Sequence, residues 1–479
     1  MKTGARKDLG QFWTPDWVAK AMVAYASDIA AGSMLDPAVG LGVFPSWAKR
    51  LGLPLDFHGV EKDPLVLNSI TDTDIRARVL LGDFITADFE AKYDFIVANP
   101  PYLRHHALPA ELKDYMDAQS RKALGFGIDR RAGIHVHFLL KSLLLLKPGG
   151  KLTFIVPADV FEGVFARELW GWIADRYHIR AVTTFSPDAS PFPELDINPV
   201  VVFIQRDAPT NNLIWSHITA PGSDDFYRFV KSGFLDAGGS IQTLQRTVRE
   251  AVATGLSRPP RPPKEYVPLA DFAYVRRGIA TGANSFFLLT AEQLRNLNIG
   301  EEFIRPVVPK TRYLNGLTFT KKDFRLLADQ GKPVFLFAPD GRPIDQYPDP
   351  VQDYLRRGEK IGLPKRALIG KRRPWYKMES REPPDFFFAY LGRRNVRFVR
   401  NLSGALPLTT LLAVYSRTRD EGFLHELHKI LNHPDVISQL VYVAKSYGRG
   451  ALKAEPRQLE SLPIPLDFAE PLLVQPALF

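Results

Sequence analysis

Four short apolar runs, each closed by a polar residue, set the tightest limit on how this chain can fold. Met34-Leu35 stops at Asp36, Phe57–Val60 at Glu61, Val79–Leu81 at Gly82-Asp83, and Phe95–Ala98 at Asn99-Pro100-Pro101-Tyr102. Helical patterns separate them, and three more β-branched runs follow at Lys151–Val156, Ala181–Phe185 and Val200–Gln205. Strands alternating with helices predict an α/β domain, a seven-stranded, mostly parallel sheet with helices on both faces. Ligands of such sheets bind beyond the carboxyl ends of the strands, so the four polar ends fall on one ligand-binding edge. The helix before the first strand is expected to begin at Thr14-Pro15-Asp16, with Thr14 as N-cap and Pro15 at its first position. Leu139–Leu146 is expected to be helical and to end in the turn Lys147-Pro-Gly-Gly150.

Each strand end has its own chemistry. After Asp36, the loop Pro37-Ala38-Val-Gly40-Leu-Gly42 lets backbone approach a ligand closely, and the acid can take an amine or hydroxyl. The loop lacks the third glycine of a dinucleotide fingerprint. Glu61 stands about 20 residues on, where an acid usually grips ribose hydroxyls. Asp83 and Phe84 suit the amino group and ring face of adenine. At the fourth end, prolines stop the ladder and hold the backbone extended. The Asn99 oxygen and the Pro100 carbonyl can then accept two hydrogens from one planar nitrogen while Tyr102 stacks on its π-system. Adenines and glutamine amides both present such a nitrogen.

Charge divides the chain. Residues 1–250 hold 27 Lys and Arg against 29 Asp and Glu; residues 251–479 hold 35 against 23. The whole basic excess therefore lies in the second half, which reads as a polyanion-binding surface. Between the halves, Ser257-Arg-Pro-Pro-Arg-Pro-Pro-Lys264 reads as a stiff extended linker. The expected division is a catalytic domain over 1–256, a linker over 257–264 and a recognition domain over 265–479. There are no cysteines, which excludes disulfides, thiolate metal sites and methylation at cytosine C5, a reaction needing a thiolate nucleophile. No run reaches the ~20 apolar residues of a membrane span, and no apolar signal segment follows the start, so a cytoplasmic location is expected. His425-Glu426-Leu427-His428, His105-His106 and His135-x-His137 lack the spacing or partners of a metal site; the last two pairs read as loop or groove residues, and no metal is expected.

In this order the motifs resemble the gamma class of adenine-N6 DNA methyltransferases, the TaqI-like enzymes of type II restriction-modification systems. The resemblance spans nearly the whole chain. It implies an S-adenosyl-L-methionine-binding domain of Rossmann-like fold, followed by an α+β target-recognition domain. Gln11-Phe-Trp-Thr14-Pro15 corresponds to the motif that contacts the methionine end of the cofactor. Asp36, Pro37, Ala38, Gly40 and Gly42 correspond to the cofactor loop, Glu61 to the ribose acid, and Asp83 with Phe84 to the adenine pair. Asn99, Pro100, Pro101 and Tyr102 correspond to the catalytic motif. Phe192 corresponds to the aromatic on the other face of the flipped base, with Phe185 as competitor. In the second half Arg276, Arg277, Arg372, Arg373, Trp375, Arg393 and Arg394 fall in segments similar to the family's recognition domain, where arginines among aromatics suit phosphate contacts and base stacking.

The resemblance implies a monomer acting on double-stranded DNA, with room for a separate cognate restriction endonuclease. A leading motif that begins by residue 11 predicts no fused N-terminal nuclease. Asn at position 99 favours adenine N6 over cytosine N4. The competing readings are methylation of a protein glutamine amide or of RNA adenine by the same motif, and a catalytically idle DNA-binding module.

Overall fold

The computed structural model describes residues 12–473, apart from 163, 164, 196, 223, 261–264, 390, 393–395 and 448–450. Gln11, Arg393, Arg394 and the second half of the expected linker thus lie outside the described residues. Residues 1–261 with 446–450 form one compact unit, and residues 262–445 with 451–479 form another.

The first unit is built on one nine-stranded sheet. Its strands are β1 (Gly32–Asp36), β2 (Leu55–Glu61), β3 (Val79–Leu81), β4 (Tyr93–Ala98), β5 (Leu146–Pro157), β6 (His178–Phe185), β7 (Pro199–Gln205), β8 (Asn212–Ile218) and β9 (Ile241–Thr247). They lie in the order β3-β2-β1-β4-β5-β7-β6-β8-β9. The first five are parallel neighbours, and β7 runs antiparallel between β5 and β6. β1 sits between β2 and β4, so successive connections leave it in opposite directions. That reversal is where ligands bind in open α/β sheets, and it sets Asp36 beside the strand that delivers Asn99.

Side chains alternate across the sheet with the period of two that a pleat imposes. Phe95 and Val97 pack with Met34, Phe57 and Phe203 on one face. Ile96 and Ala98 pack with Leu35, Val60 and Phe154 on the other. Each of these aromatics contributes roughly 1.5–3 kcal/mol by burial, which holds the strand ends to the register the site needs.

Four local expectations change. The sheet has nine strands rather than seven: β8, with Leu213, Trp215, Ser216 and Ile218 buried, lies outside the seven expected runs, and so does β9, a polar strand in which only Ile241 and Arg246 are buried, leaving little apolar pattern to read. The first helix, α1, is Asp16–Ala24 with Pro15, not Thr14, as N-cap; the Thr14 hydroxyl has another partner, described below. The helix before β5 is Ile134–Leu144, and Lys147–Gly150 belongs to the strand, where Gly149 and Gly150 pair with the Arg206 backbone. At the start of the expected linker, the Ser257 hydroxyl donates to Glu162 and its carbonyl accepts from Trp215, so these residues belong to the fold of the first unit.

The second unit is α+β. A five-stranded sheet runs in the order Ala273–Arg277, Leu411–Ser416, Phe386–Ala389, Phe398–Leu402, Thr318–Thr320. Helix Glu421–Leu431 covers one face through Phe423, Leu424 and Leu427, which pack with Phe386 and Phe398. A four-stranded sheet in the same unit has its own core around Phe286, Phe287 and Leu355.

Candidate active site

The loop after β1 is shaped by two buried acids. Asp36 is fully buried; its Oδ1 accepts the Ala38 N–H at 3.0 Å, whereas Oδ2 has no partner. Burial pushes its carboxyl up to about 8, opposed by the Ala38 N–H and reinforced by the charge of Glu61. Glu61 takes the Gly40 N–H on Oε2 (2.9 Å) and the Asp63 N–H on Oε1 (2.8 Å). It thus ties the β1 loop to the end of β2, and burial raises its pKa. Gly40, at φ +58°, lies so close under Trp13 that a Cβ would stand 2.8 Å from the indole. Gly42, at φ +79°, is the N-cap of helix α2 (Val43–Arg50).

The end of β3 is fastened twice. Asp83 accepts the Ile85 N–H on Oδ1 and Lys62 on Oδ2, both at 2.9 Å. Phe84 is 1% exposed and packs on Phe89 and Phe138, with centroids 5.3 and 5.0 Å away. Lys141, on helix α3 (Ile134–Leu144), donates to the carbonyls of Phe84 (2.7 Å), Ile85 (2.9 Å) and Ala87. Lys141→Met keeps the bulk but releases this loop. It is expected to weaken S-adenosylhomocysteine binding about tenfold, equivalent to ~1.4 kcal/mol, as read by isothermal titration calorimetry; undiminished affinity would make the clamp irrelevant to the ligand.

Thr14, Pro37, Ala38, Gly40, Glu61, Asp83, Phe84, Asn99 and Pro101 line one cavity of about 610 Å³, a size that suits a small-molecule cofactor. Pro15, Asp36, Gly42, Pro100, Tyr102 and Phe192 are not on its wall. At the cavity edge the Asn99 amide is oriented by chemistry. Its Nδ2 donates to the Phe12 carbonyl (2.7 Å) and to Thr14 Oγ1 (3.1 Å). A carbonyl oxygen can only accept, so the atom facing it must be the amide nitrogen, and Oδ1 is left without a partner among the described residues. Tyr102 donates its hydroxyl to the Ile155 carbonyl (3.1 Å). Burial of that hydroxyl holds its pKa well above the phenol range, and the charge of Asp159 adds to this, while the residue as a whole stays half-exposed.

Phe192 lies beside the motif: its ring is 6.4 Å from Tyr102 and edge-on to it at 81°. The two rings are in contact and do not form a parallel slot. Phe185 is elsewhere, against Trp17 and Phe226. His135 and His137 fall on α3, not in a loop; His135 is buried with Nδ1 unpartnered and its ring edge-on to Tyr102 at 5.8 Å. Among the described residues no three metal-ligating side chains cluster, and no helix is long and apolar enough to cross a membrane.

Phe12 and Trp13, within the leading motif Gln11-Phe-Trp-Thr14-Pro15, are on the cavity wall, and so are Trp47 and Phe138, which no sequence motif marks. Lys141 had no signal, since a lysine on an apolar helix face reads as a solvated end.

The second unit sorts its arginines. Arg276 is exposed, 5.4 Å over the Tyr274 ring, and Arg277 pairs with Glu455. Arg372 is half-buried; its Nη2 donates to the carbonyls of Ala280 and Thr281. Arg373 is exposed, bonded to the carbonyls of Gly370 and Arg372. Trp375 packs on Phe286 and Phe287 and closes over Gly358, where a Cβ would meet the indole at 2.4 Å. It packs against this core and stays half-exposed.

This sheet order, with a cavity at its switch point walled by the strand-end acids Glu61 and Asp83, is the fold of the S-adenosylmethionine-dependent methyltransferases. The solved structure of the type IIL restriction-modification enzyme MmeI in complex with DNA has a similar fold (TM-score 0.55, 13% identity, 89% of this chain and 65% of that one). So does the type IIG restriction endonuclease BpuSI (TM-score 0.50, 14% identity, 98% and 62%). The chain thus spans less than two thirds of each of these two structures. Family models match in two places: the Eco57I restriction-modification methylase over residues 62–192 and the C-terminal domain of the type II methyltransferase M.Eco57I over residues 261–475. The type II methyltransferase M.AccI of Acinetobacter calcoaceticus is 24% identical over 95% of this chain and 85% of its own. M.XamI of Xanthomonas campestris pv. amaranthicola is 23% identical with the same coverage. The chain belongs to the type II restriction-modification DNA methyltransferases.

Proposed function

We propose that the protein is a gamma-class enzyme that methylates N6 of an adenine flipped out of double-stranded DNA. The observation that carries this reading is the orientation of Asn99, whose nitrogen is held by Phe12 and Thr14 so that its oxygen is free to accept. The exocyclic amine of adenine is a poor nucleophile because its lone pair is delocalised into the ring. Asn99 Oδ1 and the Pro100 carbonyl accept its two hydrogens and favour a localised lone pair. Tyr102, anchored through its hydroxyl, offers its ring to the extruded base. Phe12, 5.9 Å from Tyr102 and tilted by 38°, is a second aromatic at that place, and Phe192 must turn to face the base.

The cavity residues fit S-adenosylmethionine. On the wall, the Gly40 backbone permits close approach and Glu61 and Asp83 are the acids that the resemblance assigns to ribose and adenine; Asp36, fully buried off the wall, holds an unpartnered Oδ2 in reserve for a cationic group that reaches it. When bound, the cofactor supplies an electrophilic methyl group on a sulfonium. The second unit, with Arg276 and Arg373 exposed, takes the DNA backbone. No metal enters this reading. The test is expression in a methylation-free host followed by single-molecule sequencing of its DNA. Modified adenine within one motif, lost in Asn99→Ala, is the expected result; unmodified DNA alongside methylated protein overturns it.

A further inference from the structure

A second cleft, of about 420 Å³, opens within the second unit. Two carboxylates on its wall already have counter-charges. Asp340 is held by Arg342 and by the Tyr347 hydroxyl at 2.7 Å, and Glu379 by Arg381. Four other cations on the wall form no ion pair among the described residues, although the charge of Glu379 reaches Arg372. Arg305 donates to the carbonyls of Glu302 (3.1 Å) and Ile304 (2.8 Å). Arg372 and Arg373 likewise bond only carbonyls, and Arg372 Nη1 is buried without any partner. The Lys377 stem lies over Gly341, whose lack of a side chain leaves room for it, since a Cβ there would stand 2.8 Å from Lys377 Cδ.

Carbonyls satisfy the N–H groups of these cations but do not cancel their charge. Like charges gathered in one concave place give a field that an anion relieves. The rim residues Arg305, Arg373 and Lys377 are exposed, so an anion carried on a continuing chain can enter. Arg381 also donates to the Arg277 carbonyl, which places the cleft next to the strand bearing Arg276.

We propose that this cleft seats a backbone phosphate of the DNA duplex, with Arg305 and Lys377 as contacts that no sequence motif marks. The proposal rests on the reading that the second unit binds DNA. A phosphate contact has no base information, so its loss weakens every sequence alike.

The test is fluorescence anisotropy of the full chain on duplexes of two unrelated sequences over a salt series. Lys377→Gln and Arg305→Gln are each expected to weaken both duplexes equally and to make the slope of log affinity against log salt shallower by about 1. Lys377→Arg, which keeps the charge, is expected to retain the wild-type slope. Unchanged slopes in both glutamine variants, with a wild type that binds DNA, overturn the cleft assignment alone. A wild type that binds neither duplex overturns the DNA reading, and this proposal with it. Calorimetry with inorganic phosphate separates the remaining source: saturable heat lost in Lys377→Gln, with an unchanged DNA slope, assigns the cleft to a free anion and overturns the proposal.

Discussion

Asn99→Ala is expected to lower kcat about 10²–10³-fold, the usual cost of removing one acceptor or donor aimed at charge that develops in the transition state. The neighbouring variants separate chemistry from packing. Asn99→Asp keeps an oxygen where Oδ1 stands but places its second oxygen against the Phe12 carbonyl, 2.7 Å from the present nitrogen. Two acceptors cannot share that contact, so the aspartate variant is expected to be as impaired as alanine. Thr14→Val removes one of the two groups that hold Nδ2 and leaves the Phe12 carbonyl in place. Its expected effect is about tenfold, in kcat rather than KM, because the amide is misoriented and not deleted. Steady-state methyl transfer to DNA measures all three. An alanine variant with undiminished kcat would remove Asn99 from the reaction.

The second large effect concerns pH. The Asp36 carboxyl is raised from its ordinary ~3.9 to about 8 in the folded protein. A folded pKa above the unfolded one means that its contribution to stability is complete below the unfolded value and is lost as pH rises through the folded value. The ligand-free protein is therefore expected to lose thermal stability between about pH 4 and pH 8. Asp36→Asn should flatten that profile and leave the variant the more stable protein above pH 8. Ligand binding should change in the opposite sense. Asp36 is buried off the cavity wall in the ligand-free fold, so the ligand meets Oδ2 only where the loop after β1 opens to it; a cation that does so favours the carboxylate, and binding of S-adenosylmethionine should then release a proton in this window and tighten as pH rises. The asparagine variant should lose the proton release and roughly 10–100-fold of affinity, the worth of a charge-assisted hydrogen bond. Calorimetry in buffers of different ionisation enthalpy counts the proton; zero release in the wild type would show that Asp36 does not meet the ligand's charge.

These two residues also show how far the chain could be read without its fold. The alternation of apolar runs with helices, the polar residue closing each run and the uneven charge are local facts of composition and period. They were enough to place β1 to β7 and to mark Asp36, Glu61, Asp83 and Asn99 as strand ends. The polar strand β9 escaped because an edge strand needs little apolar pattern. Arginine and tryptophan in Arg372-Arg373-Pro374-Trp375 look alike whether they face DNA or a core. Only the fold brings Trp375 against Phe286 and Phe287 while leaving it half-exposed, and ties Arg372 to the Ala280 and Thr281 carbonyls, far away along the chain.

The same division runs through the site. Residue chemistry at the strand ends was legible in order along the chain, because a strand and the turn that stops it are specified within a few residues. Which atom of Asn99 is free, which of Phe185 and Phe192 meets Tyr102, and which cations around the second cleft lack a counter-charge depend on partners far away in sequence. Asn99 and Phe12 are 87 residues apart. Such pairings are set when the chain closes on itself, by burial and by the need of every buried polar group for a partner, and no local pattern records them.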